Sequence, residues 1–208
     1  MSQIDISNIK VSGFEAAIRG MRNSRQSWEK SDTHDSIIGK NDLELASKLA
    51  KAGGSHAKFR RMIHVQMDIN APLYWWKEFD TYKIGTTANS TSTMYSIMNK
   101  EFVIEDFATN RILSPEAAKY WMNTIDSLNL IRELYNNLII GNDQKQMYWE
   151  EIIQILPESY KQLRTVDLNY EVISHIVKER KGHRLREWGM FINEMRKLPY
   201  SKELIFCE

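Results

Sequence analysis

The sequence predicts an α+β fold in which helices dominate one or a few strands, carried in a single domain over residues 1–208. Three observations predict it. Several runs repeat their apolar residues at helical spacing and are bounded by cap signals, one stretch alternates with period two, and no internal repeat, low-complexity tract or linker divides the chain. A chain of this length can bury a substantial core.

Taken in order, Ile6–Val11 reads as a short opening strand, and Phe14, Ala17, Ile18 and Met21 then recur on one helical face. The polar stretch from Asn23 to Lys40, centred on Ser31-Asp32-Thr33-His34-Asp35, reads as a long loop. Asn41 offers an N-cap ahead of Leu43, Leu45, Ala46, Leu49 and Ala50, and Gly53-Gly54 supplies the stop. From Phe59 to Asn70, Arg61, Ile63, Val65, Met67 and Ile69 alternate with Met62, His64, Gln66, Asp68 and Asn70, the period of a strand with one drier face. Ala71-Pro72 opens a short aromatic helix with Leu73, Trp76 and Phe79 or Asp80 along one side. Ser114-Pro115 has the form of an N-cap followed by Pro at the first helical position, and it starts a long amphipathic helix to about Ile140. Further helices are predicted over Asp143–Leu156, closed before Pro157, and over Asn169–Lys181, stopped by Gly182. Leu185–Arg196 reads as the last helix.

Composition narrows the function classes. Lys plus Arg (28) nearly balance Asp plus Glu (27), so no global basic field collects nucleic acid or anionic lipid. A single cysteine, Cys207, excludes an intrachain disulfide and a zinc cluster, and fits a reducing cytoplasm. No window approaches the ~18 to 20 consecutive apolar residues that a bilayer span requires, so a soluble protein is expected. Six Trp, nine Tyr and ten Met suit cores, interfaces and planar-ligand pockets alike.

No Gly-rich phosphate loop, zinc-binding His/Glu helix or nucleophile elbow occurs in the chain. The five histidines are scattered, and no metal is assigned. The segment 81–95, Thr-Tyr-Lys-Ile-Gly-Thr-Thr-Ala-Asn-Ser-Thr-Ser-Thr-Met-Tyr, stands out because short hydroxyl and amide side chains crowd into it between apolar stretches. Such side chains suit a loop wrapped round a phosphate or a pyrimidine edge, and equally a polar surface turn. The basic run Lys178–Arg186 reads as a solvated helix end whose charge complements the dipole, or as a source of cations for a phosphate or for a nucleic-acid contact, although one short patch in a neutral protein does not argue for nucleic acid.

The segment resembles the signature of the flavin-dependent thymidylate synthases, His-Arg-x-x-Ser-x-Asn-Glu-x-Ser-x-Arg-Tyr. Laid on it without a gap, Asn89, Ser92 and Tyr95 match and Thr87 replaces the first Ser. Lys83 falls at the His, Ile84 at the first Arg, Ser90 at the Glu and Met94 at the second Arg. In a second register Thr81-Tyr82-Lys83 overlies the family's Arg-His-Arg, with an insertion after it. The context follows the family's order: Gly54, Phe59, a strand to Asn70, Ala71-Pro72 and Trp75-Trp76 upstream. Downstream come Ile155-Leu156-Pro157 ahead of a basic residue, Lys161 or Arg164, then Asn169, Arg180 and His183.

This resemblance implies a small, mainly antiparallel sheet and a homo-oligomer, a tetramer in the family. It implies FAD as cofactor, dUMP as substrate, and methylenetetrahydrofolate and NADPH as co-substrates. Carried over by position, Arg61, Tyr82, Lys83 and Asn89 face the flavin, and Ser90, Ser92, Tyr95, Arg164, Asn169 and Arg180 face dUMP, with Asn89 reaching the nucleotide as well. No catalytic residue is singled out, since the cofactor carries the chemistry and no protein thiol is required. Met94 removes a phosphate-binding guanidinium, worth roughly tenfold to a hundredfold in affinity unless Arg164, Arg180 or Lys83 replaces it. Two rival readings remain: a protein that kept the fold but exchanged the reaction, and a helical interaction protein in which residues 81–95 are an ordinary turn.

Overall fold

The computed structural model describes residues 3–137 and 139–208. The order begins with β1 (Asp5–Ser12), α1 (Phe14–Arg22) and α2 (Lys40–Ala52), then a tight 3-10 segment (Gly54–Met62), β2 (His64–Pro72), α3 (Leu73–Phe79), β3 (Thr87–Ser90) and α4 (Thr93–Ser96). It continues with α5 (Pro115–Asn136), α6 (Asn142–Ile155), β4 (Lys161–Asn169), α7 (Tyr170–Arg180), α8 (Arg186–Met195) and α9 (Ser201–Leu204). The predominantly helical α+β class is as expected, with the strands in one four-stranded antiparallel sheet of order β1-β2-β4-β3.

The central pair is held in a gap-free antiparallel register. The Leu73 amide donates to the Tyr160 carbonyl at one end and the Tyr170 amide to the Ile63 carbonyl at the other. Between these ends Asp68 meets Thr165, whose hydroxyl donates to the carboxylate at 2.6 Å. Val65, Met67, Ile69 and Ala71 form the buried face of β2 while His64 and Gln66 are exposed, as period-two alternation predicts.

The chain forms two compact units, with boundaries inside β1, β2, α3, β3 and β4. The first comprises the residues up to Asp5, Asn70–Lys77 and Ser90–Arg164. Its core is Ile97, Met98, Phe102, Phe107, Leu128 and Ile152, flanked by Trp121 and Tyr160. The second comprises Ile6–Ile69, Glu78–Asn89 and Thr165–Glu208. There the Gly54–Met62 segment packs against α1, α2 and α7, and Phe14, Ile18, Phe59, Ile173, Trp188 and Phe191 are buried. Gly13, at φ +93°, must lack a side chain, because a Cβ there would lie 2.0 Å from the Met62 carbonyl oxygen. In the same unit the buried Arg60 donates to the Leu204 carbonyl at 2.9 Å and to the Ser174 hydroxyl at 3.1 Å, and reaches Cys207 Sγ at 3.7 Å. The chain from α9 to Glu208 is thereby fastened to the Gly54–Met62 segment.

Several local expectations are corrected. The alternation from Phe59 overstates the strand: Phe59–Met62 belongs to the 3-10 segment and β2 starts at His64. Asn41 is inside α2 and does not cap it, since Asp32 reaches in from the preceding loop and accepts from the Asn41 and Asp42 amides at 2.9 and 3.0 Å. Ser114 caps α5 as expected, accepting from the Ala117 amide at 3.2 Å. That helix ends at Asn136, and Leu138, within the predicted run to Ile140, lies outside the described residues. α8 is not the last helix, because the short α9 follows it. Two strands are additional to the expected elements: β3 within the polar segment, and β4, which fills the stretch between Pro157 and Asn169 to which the sequence pattern assigns no element.

Candidate functional site

The polar segment is more structured than a loop. Gly85, at φ +79°, turns the chain so closely against Asn169 that a Cβ would lie 2.8 Å from its amide nitrogen. Thr87–Ser90 then forms an edge strand with every residue exposed, Asn89 and Ser90 among them. Lys83 is exposed as well. Ser92 precedes α4, and its carbonyl accepts from the Ser96 amide and from the Ser96 hydroxyl at 2.6 Å. Tyr95 and Met94 are exposed, at 89% and 52%, while the Met94 carbonyl accepts from the Trp149 indole at 3.1 Å. The segment is thus fixed by its main chain, and its side chains remain presented to solvent.

Within the first unit, Arg164 is joined to this segment through Gln162. Its guanidinium lies 4.2 Å over the Trp76 ring and its Nε donates to Gln162 Oε1 at 3.0 Å. Gln162 Nε2 donates to the Thr91 carbonyl at 2.8 Å, and the Thr91 amide donates to the Leu163 carbonyl at 2.9 Å. Arg164 therefore stiffens the turn beside Ser90 and Ser92.

In the second unit Tyr82 and Arg180 meet. Arg180 Nε donates to the Tyr82 hydroxyl at 2.8 Å, and the same guanidinium pairs with Glu78 at 3.0 Å and lies 4.8 Å over the Trp188 ring. Trp188 donates its indole N–H to the same Glu78 oxygen at 2.7 Å, and His183 Nε2 lies 3.6 Å from it. Asn169 is buried at the start of α7, where its side chain accepts from the Val172 amide at 3.0 Å. Of the dUMP-facing residues expected in this unit, Arg180 is held in an aromatic box with its charge balanced by Glu78, and Asn169 is a helix cap that also supports the Gly85 turn.

Arg61 is exposed at the mouth of a cleft of about 1080 Å³ formed within the second unit. Arg19, Lys58 and His56 line it alongside Arg61, Phe59 and Met62 contribute apolar wall, and no carboxylate is among its lining residues. Arg61, which the resemblance sets toward the flavin, is among the residues that line this cleft. Arg19 joins it only in the folded chain, where α1 meets the 3-10 segment, whereas Lys58 stands three residues from Arg61 in the same segment and no motif marks it. Tyr82, Lys83 and Asn89 are not among the residues lining this cleft.

No family model matches the sequence, and no curated protein matches it either. Solved structures do match in fold. A crystal structure of the flavin-dependent thymidylate synthase ThyX from Helicobacter pylori, complexed with FAD and dUMP, superposes with a TM-score of 0.69 over 98% of this chain and 98% of its own, at 17% identity. A second structure of ThyX from Helicobacter pylori with FAD and dUMP gives 0.70 over 99% of this chain and 98% of its own, also at 17% identity. The chain therefore has the fold of the flavin-dependent thymidylate synthases over nearly its whole length.

Proposed function

We propose that this protein binds FAD and dUMP and acts as a flavin-dependent thymidylate synthase-like enzyme, methylating dUMP at C5 with methylenetetrahydrofolate as carbon donor and NADPH as reductant. The observation that carries this reading is the cleft at Arg61, set in a fold shared over 98% of the chain with a protein complexed with FAD and dUMP. Three cations and a histidine without a lining carboxylate suit a pyrophosphate, and the Phe59 and Met62 wall suits a planar ring. The residues therefore fit the cofactor, which supplies hydride chemistry when bound.

In this reading Arg61, Arg19 and Lys58 hold flavin phosphates, with Tyr82, Lys83 and Asn89 contributing at the flavin edge. Ser90, Ser92 and Tyr95 present side chains to the nucleotide, and Arg164 acts as a positioning residue through Gln162. Arg180 orients the nucleotide from its box with Tyr82, and Asn169 supports it through the Gly85 turn. The working form is a cytoplasmic homotetramer, testable by light scattering on the purified protein.

Purified protein should carry flavin absorbance or acquire it on titration with FAD, and should oxidise NADPH in a dUMP-dependent manner. Colourless protein that takes up no FAD sinks the proposal. A second reading, nucleotide binding without this turnover, is favoured by Met94 and by the pairing of Arg180 with Glu78. FAD and dUMP binding without NADPH oxidation would select it.

A further inference from the structure

A second cleft, of about 630 Å³, lies within the second unit between α1 and the chain that joins it to α2. Its volume falls in the ~300–1,000 Å³ range of small-molecule pockets. Glu15, Ile18, Arg19 and Arg22 recur at the spacing of one helical face and make the α1 wall, while Trp28 and Asp35 reach the cleft from the joining chain. That chain is tied down at several points. Ser31, Asp32 and Thr33 are gathered on Asp42, the Ser36 amide donates to Glu15 at 2.8 Å, and the Ile38 amide donates to the Tyr200 hydroxyl at 2.9 Å. The cleft is therefore formed before any ligand arrives.

Its charges are unevenly satisfied. Arg22 is spent on Asp42, and Glu15 has one oxygen committed to the Ser36 amide. Arg19 and Asp35 differ from these. Both side chains are exposed, neither has an ion-pair or hydrogen-bond partner among the described residues, and although they line one cleft they do not pair with each other. A lone anion entering the cleft would meet Asp35 and Glu15, and a lone cation would meet Arg19. A ligand that carries both signs satisfies both walls. Ser31 and Thr33 have given their hydroxyl protons to Asp42 and keep lone pairs that an ammonium can use. Trp28, fixed by its indole N–H on Asn23 at 2.9 Å, leaves its ring 47% exposed, an aromatic platform beside the apolar surface of Ile18.

We propose that this cleft binds a free α-amino acid with an aromatic side chain, its carboxylate on Arg19, its ammonium on Asp35 and its ring against Trp28. Arg19 also lines the cleft at Arg61, so the two clefts share one guanidinium and an amino acid on one side opposes a flavin phosphate on the other. The site rests on the flavin reading only for that opposition.

Calorimetric titration of the full chain with phenylalanine, phenethylamine and phenylacetate tests this, since the last two each lack one of the charges. Phenylalanine should bind the wild type about tenfold more tightly than either, the worth of one charge-assisted bond. Asp35→Asn, which keeps a residue tolerant of the left-handed backbone found there at φ +49°, should weaken phenylalanine and phenethylamine and leave phenylacetate unchanged. Arg19→Gln should weaken phenylalanine and phenylacetate and leave phenethylamine unchanged. Trp28→Ala should weaken all three, with Trp28→Phe restoring them to within a few-fold. A wild type that binds no phenylalanine overturns the site. So does equal loss of all three ligands in Asp35→Asn or Arg19→Gln, which would mark a structural role, or undiminished phenylalanine binding in any one of Asp35→Asn, Arg19→Gln and Trp28→Ala. An FAD titration on the same samples separates the two proposals. Phenylalanine binding that depends on Asp35 in a protein that takes up no FAD removes the enzyme reading and leaves the site, whereas FAD uptake without phenylalanine binding does the reverse. Where both bind, saturating FAD should weaken phenylalanine several-fold and phenylalanine should weaken FAD by the same factor, and indifference between them would overturn the shared role of Arg19.

Discussion

Arg22 and Asp42 form a buried ion pair in which Nε and a terminal guanidinium nitrogen both reach the same Asp42 oxygen at 2.6 Å, with the side chains 5% and 0% exposed. The other oxygen collects the Ser31 and Thr33 hydroxyls, each at 2.7 Å, and the Asp32 amide at 3.0 Å. The loop ahead of α2 is thereby gathered onto one carboxylate. Replacing Arg22 by Met leaves that charge buried beside weaker donors, and urea unfolding should show a loss of about 3–5 kcal/mol. Retention of wild-type stability would mean the hydroxyls alone suffice.

The same carboxyl predicts an acid limb. Burial tends to raise its pKa, but the bonds from Ser31, Thr33, Arg22 and Asp32 outweigh burial and hold it below the ordinary 3.8. A folded pKa below the unfolded one gives stability that is present above about pH 4 and lost as pH falls through the folded value. In Asp42→Asn the denaturation midpoint should depend less steeply on pH below 4 than in the wild type, apart from a general loss of stability.

Gly85→Ala should cost about 1–2 kcal/mol from the left-handed backbone alone, and more as its methyl meets Asn169. Asn169→Ala removes the α7 cap at about 1 kcal/mol. Because the two side chains would compete for one space, the double variant should lose less than the sum, a non-additivity that thermal denaturation reads directly.

Glu78→Gln leaves the Trp188 indole an acceptor but frees the Arg180 charge. Stability should fall by ~1–3 kcal/mol, the worth of hydrogen bonds to a charged group. On the reading that Arg180 orients dUMP, calorimetry should find the nucleotide bound several-fold more tightly, and weaker binding would place Arg180 outside the site.

Met94→Arg supplies a guanidinium where the resemblance places one and where the structural contribution of the residue comes from its main chain. Stability should change by no more than about 0.5 kcal/mol, as at exposed positions generally, while dUMP affinity rises. An unchanged affinity would show that position 94 does not face the ligand.

Much of the scaffold was legible because it rests on local chemistry. Ser114-Pro115, Gly53-Gly54 and the alternation from His64 to Ala71 each act within a few residues of where they appear. What was missed depends on distant partners. β4 carries Lys161, Arg164 and Asp167 among only a few apolar residues, so its strand character comes from pairing with β2 and not from its own pattern. Asp32 caps a helix nine residues away, and nothing in its neighbourhood announces that. The site shows the same division. Arg61 and Arg180 could be picked out by position, but Glu78, which sets the electrostatics around Arg180, is contributed from the other end of a long sequence interval. Lys161 and Arg164 both follow Pro157 as basic residues, and they stand on opposite faces of β4, a difference invisible until the register is known.

Arg60 has a practical consequence. It holds the end of α9 at Leu204 and the chain beyond it at Cys207 while its neighbour Arg61 stands at the cleft, so the two are coupled through a single short helical segment. A substitution that releases Arg60 would therefore loosen the chain around α9 and the segment that carries Arg61 together, although the two are far apart in sequence.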